Sequence, residues 1–149
     1  MTRYMIQVRA TAMSEAGDFP DDPTLVPRMM AFHDEMAKAG VLLDGAGLQP
    51  SSQGFRIQYD AAGQPSVLDG PFAETKELIA GYTLIDVRTH EEALAWARRF
   101  PAPFPGQPCS IEVRPLMGGV DLPPEDAERL IREEDRKSTR LNSSHIPLS

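Results

Sequence analysis

The order of strand and helix patterns along the chain constrains its fold more than any other feature of the sequence. Strand-like and helix-like segments follow one another as β-α-β, then a hairpin, then β-α-β. Two such βαβ units give the split arrangement of a ferredoxin-like sheet, in which both helices lie on one face. The sequence therefore predicts an α+β fold with an antiparallel sheet.

The two helices are predicted from apolar spacing and from their end signals. In residues 24–39 apolar side chains recur at helical intervals. They are Leu25, Met29, Phe32 and Met36. Gly40 stands where a glycine ends a helix. The second helix is predicted to run from His90 to about Phe100, with Thr89 as its N-cap and Glu92 at the capping-box position.

The strands are predicted from short apolar or alternating runs between turn residues. They cover residues 4–10, 41–43, 54–60, 65–68, 80–87 and 110–116. Residues 61–64 form the hairpin turn, in which Gly63 is expected at positive φ. The second sheet face carries apolar residues but has no helix to cover it. A second copy of the chain is the natural cover, so a homodimer is expected.

Composition places the chain among small globular proteins. Its 149 residues are a one-domain length, and its apolar and charged fractions, 41% and 25%, are ordinary. A single cysteine, Cys109, excludes an intramolecular disulfide and fits a reducing compartment. No apolar run approaches the roughly 20 residues of a membrane span, and the start lacks the apolar core of a signal peptide. A cytoplasmic location without membrane association is expected.

The last fifteen residues, 135–149, resemble the translation of a sequencing adapter and are expected to be non-native and disordered. They hold three of the 15 basic residues and one of the 22 acidic ones, so the preceding 134 residues carry a net charge of −9. Such an acidic domain lacks the basic surface of a nucleic-acid binder. Three segments are predicted: a domain over residues 1–117, a charged helical tail over 118–134, and the foreign tail.

Residues 69–77, DGPFAETKE, combine a tight turn with several charged groups. The Asp-Gly-Pro sequence suits a turn in which Gly70 takes positive φ. Phe72 is an apolar side chain that can hold the loop against the protein. The run resembles the DGPF motif of the YCII-related proteins. Similar stretches occur at residues 8–11 with 14–17, at 38–43 with 47–52, at 78–82 and at 111–115, so the resemblance spans about residues 1–117.

The resemblance implies the fold of the dimeric α/β-barrel superfamily, with two sheets packed face to face and a cleft near the dimer interface. It also implies that some members are enzymes that use a His–Asp pair without a metal or an organic cofactor. In those members the histidine lies earlier in the first helix than His33 does.

Asp69 and His33 are the candidate catalytic residues. Asp69 is a carboxylate on a rigid turn, suited to proton transfer. Its alternative role is purely structural, as the hydrogen-bonding residue of the turn. His33 adjoins the apolar stripe of the first helix, and histidine is the side chain most often used for proton transfer at neutral pH. Its alternative role is that of a residue at the boundary of the core. His90 is expected at the surface.

The candidate substrate-binding residues are Lys76, Glu74, Tyr82 and Arg9. Lys76 beside carboxylates suits an anionic ligand, although a solvated charged loop gives the same pattern. Tyr82 and Arg9 lie on strands, where they either line a cavity or occupy the solvent side of the pleat. No Gly-rich phosphate loop, CxxC, HExxH or GxSxG motif is present.

Three functions remain open from the sequence. The first is a cofactor-independent acid–base enzyme acting on a small organic acid or an aromatic compound. In it Asp69 or His33 moves protons and Lys76 holds the anion. The second is a non-catalytic ligand-binding or transcription-associated regulatory module. The third is a purely structural dimer.

Overall fold

The computed structural model describes residues 1–118 and 121–144, with the side chains of residues 1–118, 121–133, 135 and 136. The first half contains β1 (Thr2–Arg9), the short helix α1 (Ala12–Glu15), α2 (Leu25–Lys38), β2 (Leu42–Gly47), a 3-10 turn (Ser51–Gln53) and β3 (Phe55–Tyr59). The second half contains β4 (Pro65–Asp69), a 3-10 turn (Thr75–Glu77), β5 (Ile79–Val87), α3 (His90–Arg98), β6 (Ile111–Pro115) and α4 (Pro124–Ser144).

Four strands form the main sheet in the order β2-β5-β1-β6, and every neighbouring pair is antiparallel. This order confirms the predicted α+β, ferredoxin-like fold. β3 and β4 pair only with each other, as a separate two-stranded hairpin whose ten residues are all exposed.

The core lies between one face of the sheet and the two long helices. Along β5 burial alternates strictly, because successive strand side chains point to opposite faces. Its buried residues join those of β1 and of both helices in one cluster. The cluster consists of Tyr4, Ile6, Phe32, Met36, Val41, Ile85, Val87 and Ala93. Both helices therefore pack on the same face, as predicted.

The predicted helix ends are confirmed by local geometry. Gly40 follows α2 at φ +78°, a conformation that residues with a Cβ rarely adopt. The Thr89 side chain accepts a 3.0 Å bond from the Glu92 amide at the start of α3. The Glu92 carboxylate accepts a 3.0 Å bond from the Arg88 amide, one residue before the position expected for a capping box.

The C-terminal helix differs from its predicted length. α4 runs from Pro124 to Ser144, past the end that was expected near Glu134 and into the segment expected to lack regular structure. Residues 145–149 lie outside the described part of the chain. The foreign origin of residues 135–149 and the three-segment division stay predictions. Within the described residues no helix has the length and apolarity to span a bilayer.

Candidate functional site

A cleft of about 770 Å³ opens on the helix side of the sheet. It lies between α2, the neighbouring strands β2 and β5, and the segments near residues 14–20 and 100–104. We call it the His33 cleft. Most of its wall is apolar and includes several aromatic and sulfur-containing side chains. Among these are Phe19, Leu25, Met29, Leu48, Phe100 and Phe104. Such a wall suits a largely apolar ligand.

His33 lies half-buried in this cleft, and both of its ring nitrogens are hydrogen-bonded. Nδ1 lies 2.8 Å from the Met29 carbonyl oxygen, one helical turn earlier, and Nε2 lies 2.8 Å from Thr83 Oγ1 on β5. A carbonyl oxygen can only accept, so Nδ1 carries a proton. In the neutral ring Nε2 therefore has the lone pair and accepts from the Thr83 hydroxyl. The structure thus orients the basic nitrogen toward the sheet.

The hydrogen bond to His33 explains why a threonine can be buried at position 83. It is the one polar side chain among the buried residues of the described chain, with 2% of its surface exposed. A buried hydroxyl needs a hydrogen-bonding partner, and His33 supplies it. Sequence reasoning did not select Thr83. The available signal was a polar residue on the buried face of a strand, between Gly81 and Ile85.

Gly45 on β2 leaves space beside the imidazole. A Cβ added at Gly45 would lie 3.6 Å from His33 Nε2 and 3.5 Å from the Tyr82 carbonyl oxygen. These are ordinary van der Waals distances, so alanine fits there without displacing the backbone. The added methyl group would nevertheless occupy space next to Nε2. The absence of a side chain at Gly45 leaves this space beside the imidazole unfilled.

The DGPF turn is held against the 3-10 turn at residues 51–53. A Cβ at Gly70 would lie 1.8 Å from the Ser51 carbonyl oxygen, which no structure tolerates. Gly70 is not at positive φ, contrary to the prediction, and the Gly70–Pro71 bond is cis. Close approach of the backbone, rather than a left-handed conformation, is therefore what requires glycine at this position.

A chain of hydrogen bonds links this turn to α1. The Ser51 hydroxyl donates to Glu15 Oε2 and accepts a 3.1 Å bond from the Phe72 amide. The Ser51 amide donates to Glu15 Oε1 at 3.0 Å. The Arg56 guanidinium carbon lies 3.8 Å from the centre of the Phe72 ring, a cation–π distance. The motif therefore has a structural function: it connects the hairpin to the body of the domain.

Asp69 and Glu74 are exposed, and neither lines the His33 cleft. Asp69 ends β4 opposite Phe55, and Glu74 precedes the second 3-10 turn. The structure therefore does not bring Asp69 together with His33. No observation tests the catalytic role of Asp69 or the binding role of Glu74, and both stay predictions.

Tyr82 borders the His33 cleft, but its side chain projects to the opposite sheet face, since it alternates with buried Gly81 and Thr83. Its hydroxyl donates to Asp44 Oδ2 at 3.1 Å. This hydrogen bond, together with the negative charge of Asp44, raises the pKa of the Tyr82 phenol above its ordinary value.

Arg9 and Lys76 are brought together at a second cleft, of about 680 Å³, at the end of β1. Arg9 donates one bond to the Lys76 carbonyl oxygen and another, of 3.1 Å, to Glu112 Oε1. The residues of this cleft differ from those that line the His33 cleft. Two of the predicted substrate-binding residues, Arg9 and Lys76, therefore line the same cleft, but His33 does not belong to it.

Metal ligation finds no support in the described part of the chain, where no three His, Cys, Asp or Glu side chains gather as a metal site. Cys109 is half-buried and donates weakly to the Phe104 carbonyl oxygen at 3.7 Å.

The sheet order, the paired helices and the cleft beside them define an α+β protein of ferredoxin-like topology. The family profile of the YCII-related domain matches residues 2–117, and the chain belongs to that family. The chain is also similar to a protein of Rhizobium meliloti (strain 1021) that is described as uncharacterised. The two are 35% identical over 105 residues, which cover 70% of this chain and 83% of that protein.

Proposed function

We propose that this chain is a cytoplasmic homodimer that binds a small, largely apolar organic compound in the His33 cleft. In this proposal His33 exchanges a proton with the compound, without a metal or an organic cofactor. The observation that carries the proposal is the oriented imidazole of His33 in an apolar cleft, with Nδ1 bonded to Met29 and Nε2 to Thr83. A fixed tautomer gives the ring one defined basic nitrogen.

The charges of the residues that line the cleft restrict the class of ligand that can bind there. Among its described lining residues other than His33, Asp18 alone carries a formal charge, and that charge is negative. An anionic ligand would meet no cation there and would be repelled by this carboxylate. The lining therefore favours a neutral compound, aromatic rings included, over the organic acid considered from the sequence. A phenol would donate its hydroxyl to Nε2 in place of Thr83 and would place its apolar ring against the wall.

The ligand proposal is tested first by native mass spectrometry of the whole chain, purified gently from cells. Extra mass lost on activation would supply the compound for identification. Saturable binding of the neutral fluorophore N-phenyl-1-naphthylamine would independently report ligand binding in the cleft. The variant Gly45→Ala should weaken the binding of this fluorophore. If neither ligand nor fluorophore binds, the proposed use of the cleft is wrong.

Catalysis is tested with the identified compound and the variant His33→Gln. The expected result is retained binding with turnover reduced by a factor of about 100 to 10,000, the usual contribution of general acid–base catalysis. His90→Gln is the matched control, because His90 is exposed at the start of α3. Turnover at the wild-type rate in His33→Gln would exclude the proton-transfer role.

A non-catalytic ligand-binding or transcription-associated regulatory module is the second candidate. It is favoured by the hydrogen bond between His33 Nε2 and Thr83, because that bond already occupies the nitrogen. Under this alternative the compound binds without conversion. His33→Asn would then preserve binding, and no product would form with the wild-type chain.

The homodimer is proposed from the sheet face that the helices leave uncovered. Met5 on β1 and Leu84 on β5 are register neighbours on the sheet face opposite the described core cluster. Light scattering should give about twice the chain mass of 16.4 kDa. Leu84→Arg should shift the chain to monomer, whereas Leu94→Arg, on the exposed side of α3, should not. A wild-type monomer would contradict the proposal.

A further inference from the structure

The cleft at the end of β1 is rich in hydrogen-bond donors. We call it the Arg9 cleft, after one of its lining residues. It has a volume of about 680 Å³ and lies where β1, the 3-10 turn at Thr75–Glu77 and the segment before β6 meet. Arg9, Thr75, Lys76, Gln107 and Ser110 are among its described lining residues, none of which carries a carboxylate, although Glu112 forms an ion pair with Arg9 next to the cleft. This composition differs from the apolar wall of the His33 cleft.

Arg9 is held in a fixed orientation while retaining free donors. Its guanidinium has five N–H groups, of which one donates to Glu112 Oε1 at 3.1 Å and one to the Lys76 carbonyl oxygen. Three N–H groups therefore remain for a ligand. Because two bonds already position the side chain, little conformational freedom is lost when a ligand binds. The side chain is 30% exposed, so it is accessible from the cleft.

Lys76 contributes a second cationic residue to the lining of the cleft, and Arg9 donates to its backbone carbonyl oxygen. It is exposed, and its ammonium forms no ion pair among the residues whose side chains the structure describes. The Ser110 hydroxyl, also at the cleft, is available as a neutral donor. The whole chain has a net charge of −7, so anions are repelled in general. A local pair of cations is what an anion would need in order to bind here.

We propose that the Arg9 cleft binds an oxyanion, the carboxylate or phosphate group of a small molecule. The guanidinium fork of Arg9 matches the paired oxygens of either group, and Lys76 supplies a point charge on the solvent side. The site is separate from the His33 cleft and does not depend on the function proposed for it. The cleft is the place where two of the predicted substrate-binding residues come together.

The test is titration of the whole chain with inorganic phosphate and, separately, with acetate, each at constant ionic strength set by chloride. Amide NMR spectra report where binding occurs. We expect saturable shifts at Thr11, Thr75 and Ser110 and unchanged signals at Gly45 and Thr83. The stronger of the two titrants identifies the group, phosphate or carboxylate, that the cleft prefers.

Two lysine variants make the test specific. Lys76→Met should weaken binding about fivefold, the effect of one charge-assisted bond in a partly exposed setting. Lys38→Met is the matched control, because it removes the same charge at the last turn of α2. Equal weakening by both variants would reflect net charge alone and would overturn the proposal. So would the absence of saturation by either anion at about 10 mM, a concentration that would reveal even weak binding.

Discussion

Replacing Gly70 with alanine should destabilise the domain, because the DGPF turn has no room for a side chain. The added Cβ would lie 1.8 Å from the carbonyl oxygen of Ser51 and 2.6 Å from the carbonyl carbon of the same residue. Real Cβ atoms do not approach closer than 3.0 Å, so the two turns must separate by at least 1.2 Å, the difference between 3.0 and 1.8 Å. Both atoms at the contact are backbone atoms, so no side-chain rotation relieves the clash.

The magnitude follows from the hydrogen bonds that such a shift would break. The Gly70 amide donates to the Gly54 carbonyl oxygen at 3.0 Å, and the Phe72 amide to the Ser51 hydroxyl at 3.1 Å. At about 1 kcal/mol for each bond, with added strain, the free energy of unfolding should fall by about 3 kcal/mol. For a domain of this size that corresponds to a decrease in Tm of about 10 °C.

The assay is urea unfolding followed by circular dichroism and by the fluorescence of Trp96. Gly54→Ala is the control, because its Cβ would lie 3.7 Å from the same Ser51 oxygen and its backbone is extended, with φ −121°. The control should change stability by less than about 1 kcal/mol. Hydrogen exchange at the hairpin amides would detect local opening if global unfolding is unaffected. Equal stability and equal exchange in both variants would refute the steric argument.

Three further predictions concern side-chain hydrogen bonds. Ser51→Ala should lower the free energy of unfolding by about 1–2 kcal/mol, measured by urea unfolding, because it removes the hydroxyl that links α1 to the DGPF turn. Thr83→Val should cost about 1 kcal/mol in the same assay, because His33 Nε2 loses its partner. Asp44→Asn should move the phenolate absorbance of Tyr82 to lower pH, since the carboxylate is what raises its pKa. Because the folded-state pKa of Tyr82 is raised, its hydrogen bond to Asp44 contributes its full stabilisation at pH values below the pKa of the phenol in the unfolded state. This contribution is lost as the pH rises through the pKa of the phenol in the folded state. An unchanged titration in Asp44→Asn would contradict that reasoning.

The uncovered hairpin shows where periodicity alone was insufficient. Its strands and the turn glycine, Gly63 at φ +83°, agree with the prediction. Alternation in Phe55, Ile57 and Tyr59 suggests a strand with one buried face, but all three are exposed in the chain. The alternation of apolar and polar residues along a strand indicates its pairing register and which residues share a face. It does not give the surface that covers a face, which depends on the rest of the molecule.

The sequence by itself determined the local structure: the helix ends at Gly40 and Thr89, the hairpin turn and the alternation along β5. These depend on backbone freedom and capping within a few residues. Only the tertiary structure paired His33 with Thr83, 50 positions away, and Arg9 with Lys76, 67 positions away. Such contacts depend on strand order and on the packing of α2 against the sheet, which bring distant residues together without a local signal in the sequence.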